Sequence, residues 1–287
     1  MRNSPAHFYQ ARELLYHYTT ADAALAILKN QKFWLSEYSK TNDSSEYTYA
    51  RDRYVDAYQN RQVWVDNLPR YAATTALVGS EAHTVMLIGC LTSAKDDLDQ
   101  WRRYGGNTQG CVIGIDAQFL EKSAGVTIRQ IRYGPDDLIT FVNSGLLMLQ
   151  THYEESPDDM SSLQELASFF VADLFAFKHP AFASENEIRI SRMLCIDENT
   201  EHGIRDPGGH GLDGALLEPL PVKIRDGTFG PTRYVELPLS FPDGRSAIRS
   251  FGFGPSYPNS AKAAFEELNA TTHEPAELWQ SVIPYRN

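Results

Sequence analysis

Short runs of apolar, β-branched and aromatic residues, bounded by polar or turn-forming residues, recur along the whole chain. Runs of this length and composition predict strands. They occupy 14–19, 33–36, 84–92, 111–116, 126–133, 222–224, 234–237, 248–253 and 281–285. Because many short strands flank an inserted helical section, the pattern is that of an α+β fold.

Other segments carry the apolar spacing of a helix face or the cap residues of a helix start. They are 21–29, 45 to about 75, 96–101, 136–153, 161–177 and 260–269. Thr20 or Asp22 can cap the first of these helices. We expect one domain over 1–287, with a helical insertion at about 136–177 and a mobile glycine-rich loop at 202–214.

Composition and charge narrow the function classes. The 287 residues are 42% hydrophobic and 22% charged, which is ordinary for a globular chain with a sizeable core. The formal net charge of −11 argues against a broadly basic nucleic-acid-binding surface. A local basic groove stays open, with Arg129, Arg132, Arg102 and Arg103 as candidates, although ordinary surface arginines have the same sequence signal.

The cysteines and the chain start indicate a soluble cytoplasmic protein. Cys90, Cys111 and Cys195 are far apart and odd in number, so they form neither a zinc spacing nor a disulfide framework. Free cysteines of this kind fit a reducing compartment. The first residues lead into polar sequence without an apolar signal region, and no apolar run is long enough to span a bilayer. We therefore expect no membrane partner.

The segment 184–189 carries the strongest chemical signal. If it is a strand, Glu185, Glu187 and Arg189 share one face, while Ile188 and Ile190 occupy the other. Two neighbouring carboxylates repel each other, and one arginine relieves only part of that repulsion. Such pairs occur where a positively charged, sugar-like transition state must be stabilised. The alternative is a solvated strand face with a cross-strand ion pair.

Two further constellations could contact a nucleotide. His17 lies in a predicted strand beside Tyr16, Tyr18 and Thr19, and these side chains can hydrogen-bond sugar hydroxyls without adding charge. The alternative for His17 is a structural role. The segment 100–105, Gln-Trp-Arg-Arg-Tyr-Gly, combines rings that stack on a flat base with arginines that pair with phosphate. It is equally well read as a helix end packed by its tryptophan.

Several common sites are excluded by their missing motifs. The chain has no dinucleotide-binding Gly-x-Gly-x-x-Gly, no Walker A loop, no Gly-x-Ser-x-Gly elbow and no His-Glu-x-x-His. His179, His202 and His210 are isolated in sequence, so we expect no metal site.

Taken in order, these segments resemble a widespread bacterial family catalogued as a domain of unknown function. Its pattern is a Tyr-His-Tyr-Thr strand, an aromatic-Leu-Ser strand, an Asn-Asp…Glu turn, a Cys-Phe-Ser-like strand, Gln-Trp-x-x-Tyr-Gly, Gly-x-x-Ile-Gly-Asp and Lys-His-Pro-x-Phe-x-x-Glu-x-Glu-x-Arg. The corresponding segments here are 16–19, 34–36, 42–46, 90–92, 100–105, 110–116 and 178–189. No single piece is very specific, but the ordered set is.

That family in turn resembles the ADP-ribosyltransferase fold, which implies a split β-sheet core with inserted helices. The resemblance implies that His17 holds the adenosine ribose of NAD, together with Tyr18 and Thr19. It implies that Glu187 stabilises the oxocarbenium ion and that Glu185 activates the acceptor. For the nicotinamide clamp, Ser36 and Tyr104 are both candidates, with Trp101 as a second stacking ring. Arg189 would bind the pyrophosphate or keep the carboxylates ionised, and the second role is favoured.

The resemblance therefore implies an NAD-dependent ADP-ribosyltransferase or NAD glycohydrolase, with NAD as substrate and no metal. The acceptor would be a protein, a nucleic acid, a small molecule or water. A bacterial toxin or anti-phage defence setting is implied as well, and with it a neutralising partner. Two other classes stay open: a noncatalytic module that senses a nucleotide or a protein, and a metal-dependent nuclease.

Overall fold

A computed structural model describes residues 12–40, 46–59, 84–210, 214, 216–241, 243–272 and 274–285. Its helices are α1 (Ala21–Asn30), α2 (Glu46–Gln59), α3 (Leu98–Arg103), α4 (Ala117–Lys122), α5 (Pro135–Glu155), α6 (Met160–Leu174) and α7 (Ala263–Ala270). Single 3₁₀ turns occur at Tyr38–Lys40, Pro180–Glu185 and Asn259–Ala261. Within these ranges, no helix is both long and apolar enough to cross a membrane.

The strands are β1 (Leu14–Thr19), β2 (Lys32–Glu37), β3 (Thr84–Thr92), β4 (Cys111–Asp116), β5 (Thr127–Gln130), β6 (Glu187–Ile196), β7 (Ile204–Arg205), β8 (Gly209–His210), β9 (Leu216–Leu217), β10 (Val222–Gly227), β11 (Gly230–Pro238), β12 (Ile248–Phe253) and β13 (Glu277–Gln280). Eleven of these described strands form one mostly antiparallel sheet, and β8 pairs only with β9. The chain is thus α+β, as its sequence pattern predicts.

The sheet divides at β3. Strand β6 pairs with β3 along its whole length, from Thr84 to Thr92, and so occupies one of its two edges. The other edge is shared: β2 pairs with β3 at Leu87 and Ile88, and β1 pairs with it at Thr92. Between these pairings, β1 and β2 diverge. The path then continues as β1, β4, β12 and β13 on one side, and as β2, β11 and β10 on the other.

Among the described residues, three apolar clusters are buried, the smallest of them around Trp101. The largest lies on one sheet face and includes Leu35, Leu91, Ile113, Ile188 and Phe251. The second is built by the helices α2, α5 and α6, where residues at helical spacing such as Leu138, Leu146 and Phe170 are buried together. The helices α5 and α6 therefore share their core with α2, which lies outside the predicted insertion at 136–177.

The predicted strands 14–19, 84–92, 111–116 and 248–253 have the observed bounds. The final strand is different: it lies at Glu277–Gln280, and 281–285 has no regular structure. Part of the predicted glycine-rich loop forms the short strands β7 and β8. Residues 42–45 of the Asn-Asp…Glu turn and the predicted helical residues beyond 59 lie outside the described residues.

Candidate functional site

Two carboxylates and two cations are buried together where β6 begins. The four residues are only 2–6% exposed: Lys178, Glu185, Glu187 and Arg189. Lys178 bridges the two glutamates, with its Nζ 2.7 Å from Glu185 Oε2 and 3.4 Å from Glu187 Oε2. We call these four residues the ionic cluster. Burial of charges is costly unless they are paired, and here the charges sum to zero.

The local backbone turns Glu185 toward Glu187. Glu185 is the last residue of the 3₁₀ turn Pro180–Glu185, and Asn186 adopts a left-handed conformation with φ 43°. Asparagine is one of the few residues that tolerate this conformation. The strand prediction was therefore wrong for Glu185, since β6 starts at Glu187. The prediction for the opposite face was right, because Ile188 and Ile190 lie in the large core.

The carboxylate of Glu187 is held mainly by Arg189. Its Oε1 accepts from Arg189 Nε at 2.8 Å and lies 2.7 Å from Arg189 Nη2. Burial alone would raise the pKa of Glu187, but Arg189, Lys178 and a hydrogen bond from Cys90 outweigh it and lower that pKa. Glu187 is therefore an anion at neutral pH. Its backbone N–H donates to Tyr133 Oη at 2.9 Å, which fixes the start of the strand.

Helix α3 holds Glu185 from the other side. Tyr104 Oη donates to Glu185 Oε1 at 2.6 Å, and Gln100 Nε2 donates to the Glu185 carbonyl at 2.6 Å. Burial, and then the neighbouring Glu185, raise the pKa of Tyr104, so its hydroxyl remains a proton donor at neutral pH. The Gln-Trp-x-x-Tyr-Gly segment thus contacts the cluster through its first and fifth residues. Tyr104 is also 36% exposed, so part of it borders solvent.

Arg189 has no surface for a phosphate. Besides Glu187, its Nη1 donates to the Phe175 carbonyl at 2.9 Å, and its guanidinium lies over the Tyr38 ring at 5.1 Å. Arg189 is 2% exposed. Its position therefore matches the role of keeping the carboxylate ionised rather than the role of binding pyrophosphate.

His17 lies at the division of the sheet. Its Nδ1 is 3.0 Å from the Cys90 carbonyl, and its ring meets Phe33 of β2 edge-on at 4.8 Å between centroids. Since a carbonyl only accepts, Nδ1 carries the proton and Nε2 keeps a free lone pair. Burial lowers the pKa of His17, which keeps the imidazole neutral. Cys90 links His17 to the ionic cluster, because its side chain hydrogen-bonds to Glu187.

The other predicted contacts are distributed differently. Trp101 is fully buried with Nε1 donating to Asp96 Oδ1 at 2.7 Å, so its ring has no face open to nicotinamide. The Tyr18 hydroxyl donates to the Ala94 carbonyl and accepts from the Asp97 N–H, which satisfies it within the fold. Thr19 ends β1, half-buried. Ser36 is half-buried on β2, where its Oγ accepts from Arg225 Nη2 at 3.2 Å.

Sequence reasoning gave no role to Lys178, Tyr133 or Tyr38. Lys178 appears there only as the first residue of the family segment, and it meets Glu185 through the 3₁₀ turn Pro180–Glu185 rather than through strand alternation. Tyr133, which follows β5, contacts Glu187, and Tyr38, which follows β2, lies against Arg189. The predicted basic groove is also not formed by Arg129, which is buried in a pair with Asp173.

The ionised state of Glu187 predicts an acid-sensitive fold. Because its folded pKa lies below its usual 4.5, the stabilisation is complete above that value and is lost as pH falls through the folded pKa. We expect the wild-type free energy of unfolding to decline more steeply below that value than that of Glu187→Gln. Urea unfolding from about pH 7 to about pH 3 measures this, and equal slopes would contradict it.

Within the described part of the chain, no three His, Cys, Asp or Glu side chains are grouped as metal ligands.

Neither a curated protein nor a solved structure matches the chain. One family does: residues 100–190 match the sequence profile described as "Protein of unknown function (DUF2971)". The matched segment begins at Gln100 and extends past Arg189. The ionic cluster and the segments 100–105 and 178–189 therefore lie in the part of the chain that resembles this domain of unknown function.

Proposed function

We propose that the chain is an NAD-dependent ADP-ribosyltransferase or NAD glycohydrolase. The observation that carries this proposal is the pair of buried carboxylates, Glu185 and Glu187, held by Lys178 and Arg189 beside the division of the sheet. The division of β3 between β1 and β2 supports the split-sheet resemblance, since it leaves a cleft edge at Cys90, a residue that is solvent-exposed.

The proposed reaction breaks the bond between ribose C1′ and the nicotinamide nitrogen. The electron pair goes to the pyridinium ring, which leaves as neutral nicotinamide, and positive charge develops at C1′. A fixed anion stabilises that charge by a few kcal/mol because it needs no reorganisation during the step. Glu187 supplies it, since Arg189 and Lys178 fix its position and lower its pKa.

Glu185 is the proposed base. The acceptor forms a bond to C1′ and its proton passes to the Glu185 carboxylate, so NAD and acceptor give ADP-ribosyl acceptor, nicotinamide and a proton. With water as acceptor, the product is ADP-ribose. Tyr104 donates to Glu185 and is partly exposed, so it is the better candidate for a ring beside nicotinamide than the buried Trp101. The free Nε2 of His17 suits a ribose hydroxyl.

Nicotinamide release from NAD tests the proposal. The purified protein is incubated with NAD, with and without bacterial lysate, and nicotinamide is quantified by chromatography. We expect release, and a strong dependence on lysate would identify a macromolecular acceptor. No release under either condition, from a protein whose folding is verified by circular dichroism, contradicts the proposal.

One observation favours a second candidate, a noncatalytic nucleotide- or protein-binding module. The four cluster residues pair with one another and are nearly inaccessible, which is also how a purely structural ion network looks. Under this reading, titration calorimetry detects nucleotide binding without turnover. A folded Glu185→Ala, Glu187→Ala double variant would then bind as the wild type does, whereas the transferase reading expects it to lose nicotinamide release.

A further inference from the structure

A sheet face with one exposed aromatic ring and three cations lies next to the cleft edge. It is formed by alternate residues of β2, β11 and β10, which the strand register places side by side on one face. These residues are Lys32, Trp34, Ser36, Tyr234, Glu236, Lys223 and Arg225. We call this surface the Trp34 face. The opposite face of the same strands carries Leu35 and Val235 into the large core.

Trp34 is the centre of this face and is 47% exposed. Its ring packs on the buried Tyr234 at 4.6 Å between centroids, which gives it a rigid support from below. The Arg225 guanidinium lies over the Trp34 ring at 5.5 Å. A large apolar ring left in water costs free energy, so a supported and exposed tryptophan is a typical stacking platform for a flat group.

The net charge of the residues around Trp34 is positive, although the whole chain has a formal net charge of −11. Lys32 and Lys223 share Glu236, at 2.7 and 2.9 Å, and both lysine side chains are nearly half exposed. Arg225 is exposed and, among the described residues, contacts Ser36 and Trp34 but forms no ion pair. The face therefore has a formal charge of +2 around one exposed ring.

The Trp34 face is continuous with the ionic cluster. Ser36 pairs with Ile88 of β3, which pairs with Ser191 of β6, so these three residues share a face with Arg189 and Glu187. Because β2 and β3 are antiparallel, Trp34 lies from Ser36 in the same direction as Cys90 lies from Ile88. Pairing with β3 ends at Ser36, so Trp34 lies on the β2 side of the division and Arg189 on the β3–β6 side.

We propose that the Trp34 face binds single-stranded nucleic acid, with a base stacked on Trp34 and backbone phosphates at Arg225, Lys223 and Lys32. Stacking plus phosphate pairing is the combination by which sheet surfaces bind single strands without a basic overall charge on the protein. Duplex is disfavoured because its bases are already stacked. Resting on the proposed function, the bound strand is also the acceptor, since the face continues through Ser36 and Ile88 to strand β6, which begins at Glu187.

Binding is tested without NAD, by fluorescence anisotropy of labelled 12-residue single-stranded DNA and RNA oligonucleotides at low salt. We expect Trp34→Ala to weaken binding about 5- to 150-fold, which is the value of one stacked base. Arg225→Gln should weaken binding and reduce the slope of log K against log salt by about 0.7. Phe169→Ala and Arg245→Gln remove an exposed ring and an exposed arginine elsewhere, and should leave binding unchanged.

Three outcomes would overturn the inference: no binding by the folded wild type, equal binding by Trp34→Ala, or displacement of the oligonucleotide by excess NAD. The last would assign the ring to the dinucleotide instead. Because the assay needs no turnover, it separates this inference from the proposed function. If nicotinamide is released but single-stranded nucleic acid does not bind, the enzyme proposal stays in place. Only the assignment of nucleic acid as the acceptor is then lost.

Discussion

Replacing Glu187 by glutamine is expected to reduce nicotinamide release from NAD at least 100-fold. The substitution keeps the size of the side chain and its ability to accept a hydrogen bond from Arg189, but it removes the negative charge that faces the developing cation. Removal of one preorganised electrostatic contact typically costs about 10²–10³-fold in kcat. The reduction should appear in kcat rather than in KM, because the charge at C1′ exists only in the transition state.

Two controls make this result specific. Glu198→Gln removes a glutamate that is exposed in the turn after β6, and it should release nicotinamide as the wild type does. Thermal unfolding must show that Glu187→Gln is folded at the assay temperature, since the variant also disturbs a buried ion network. A folded Glu187→Gln protein with undiminished release would remove Glu187 from the proposed chemistry.

The fold was largely predictable because its signals are local. Strands such as 84–92 and 111–116 are largely apolar runs: 111–115 is buried throughout, and 87–92 is buried except at Cys90. The start of α1 was predictable for a similar reason, since the Thr20 side chain accepts from the Ala23 N–H as a cap residue does. The position of the last strand was missed because 277–280 is half-polar and takes its place only by pairing with β12.

The candidate site was only partly predictable because it depends on contacts between distant segments. Glu187 and Arg189 are two residues apart, so alternation alone places them together. Glu185 reaches them through the left-handed Asn186, and Tyr104 reaches Glu185 across 81 residues of sequence. Trp101 and Tyr104 look equivalent in sequence, yet the helix buries the first and exposes part of the second.

The second large effect concerns stability. Replacing Lys178 by methionine, which has a similar length, should destabilise the protein by about 3–5 kcal/mol, because removal of one partner leaves buried charge unpaired. Lys178 is 3% exposed and its Nζ contacts both carboxylates. Urea unfolding at neutral pH measures the loss. The matched control is Lys32→Met, whose partner Glu236 lies at the surface, and about 0–1 kcal/mol is expected there.

A second substitution separates charge from packing in this result. In the Lys178→Met background, Glu185 and Glu187 face Arg189 alone, so the buried network carries one negative charge in excess. Adding Glu185→Gln restores neutrality while keeping a hydrogen-bond acceptor for Tyr104. The double variant should therefore be more stable than Lys178→Met, giving a favourable coupling in a double-mutant cycle. If the losses simply add, Lys178 acts through packing, and the carboxylates do not depend on it for their shared burial.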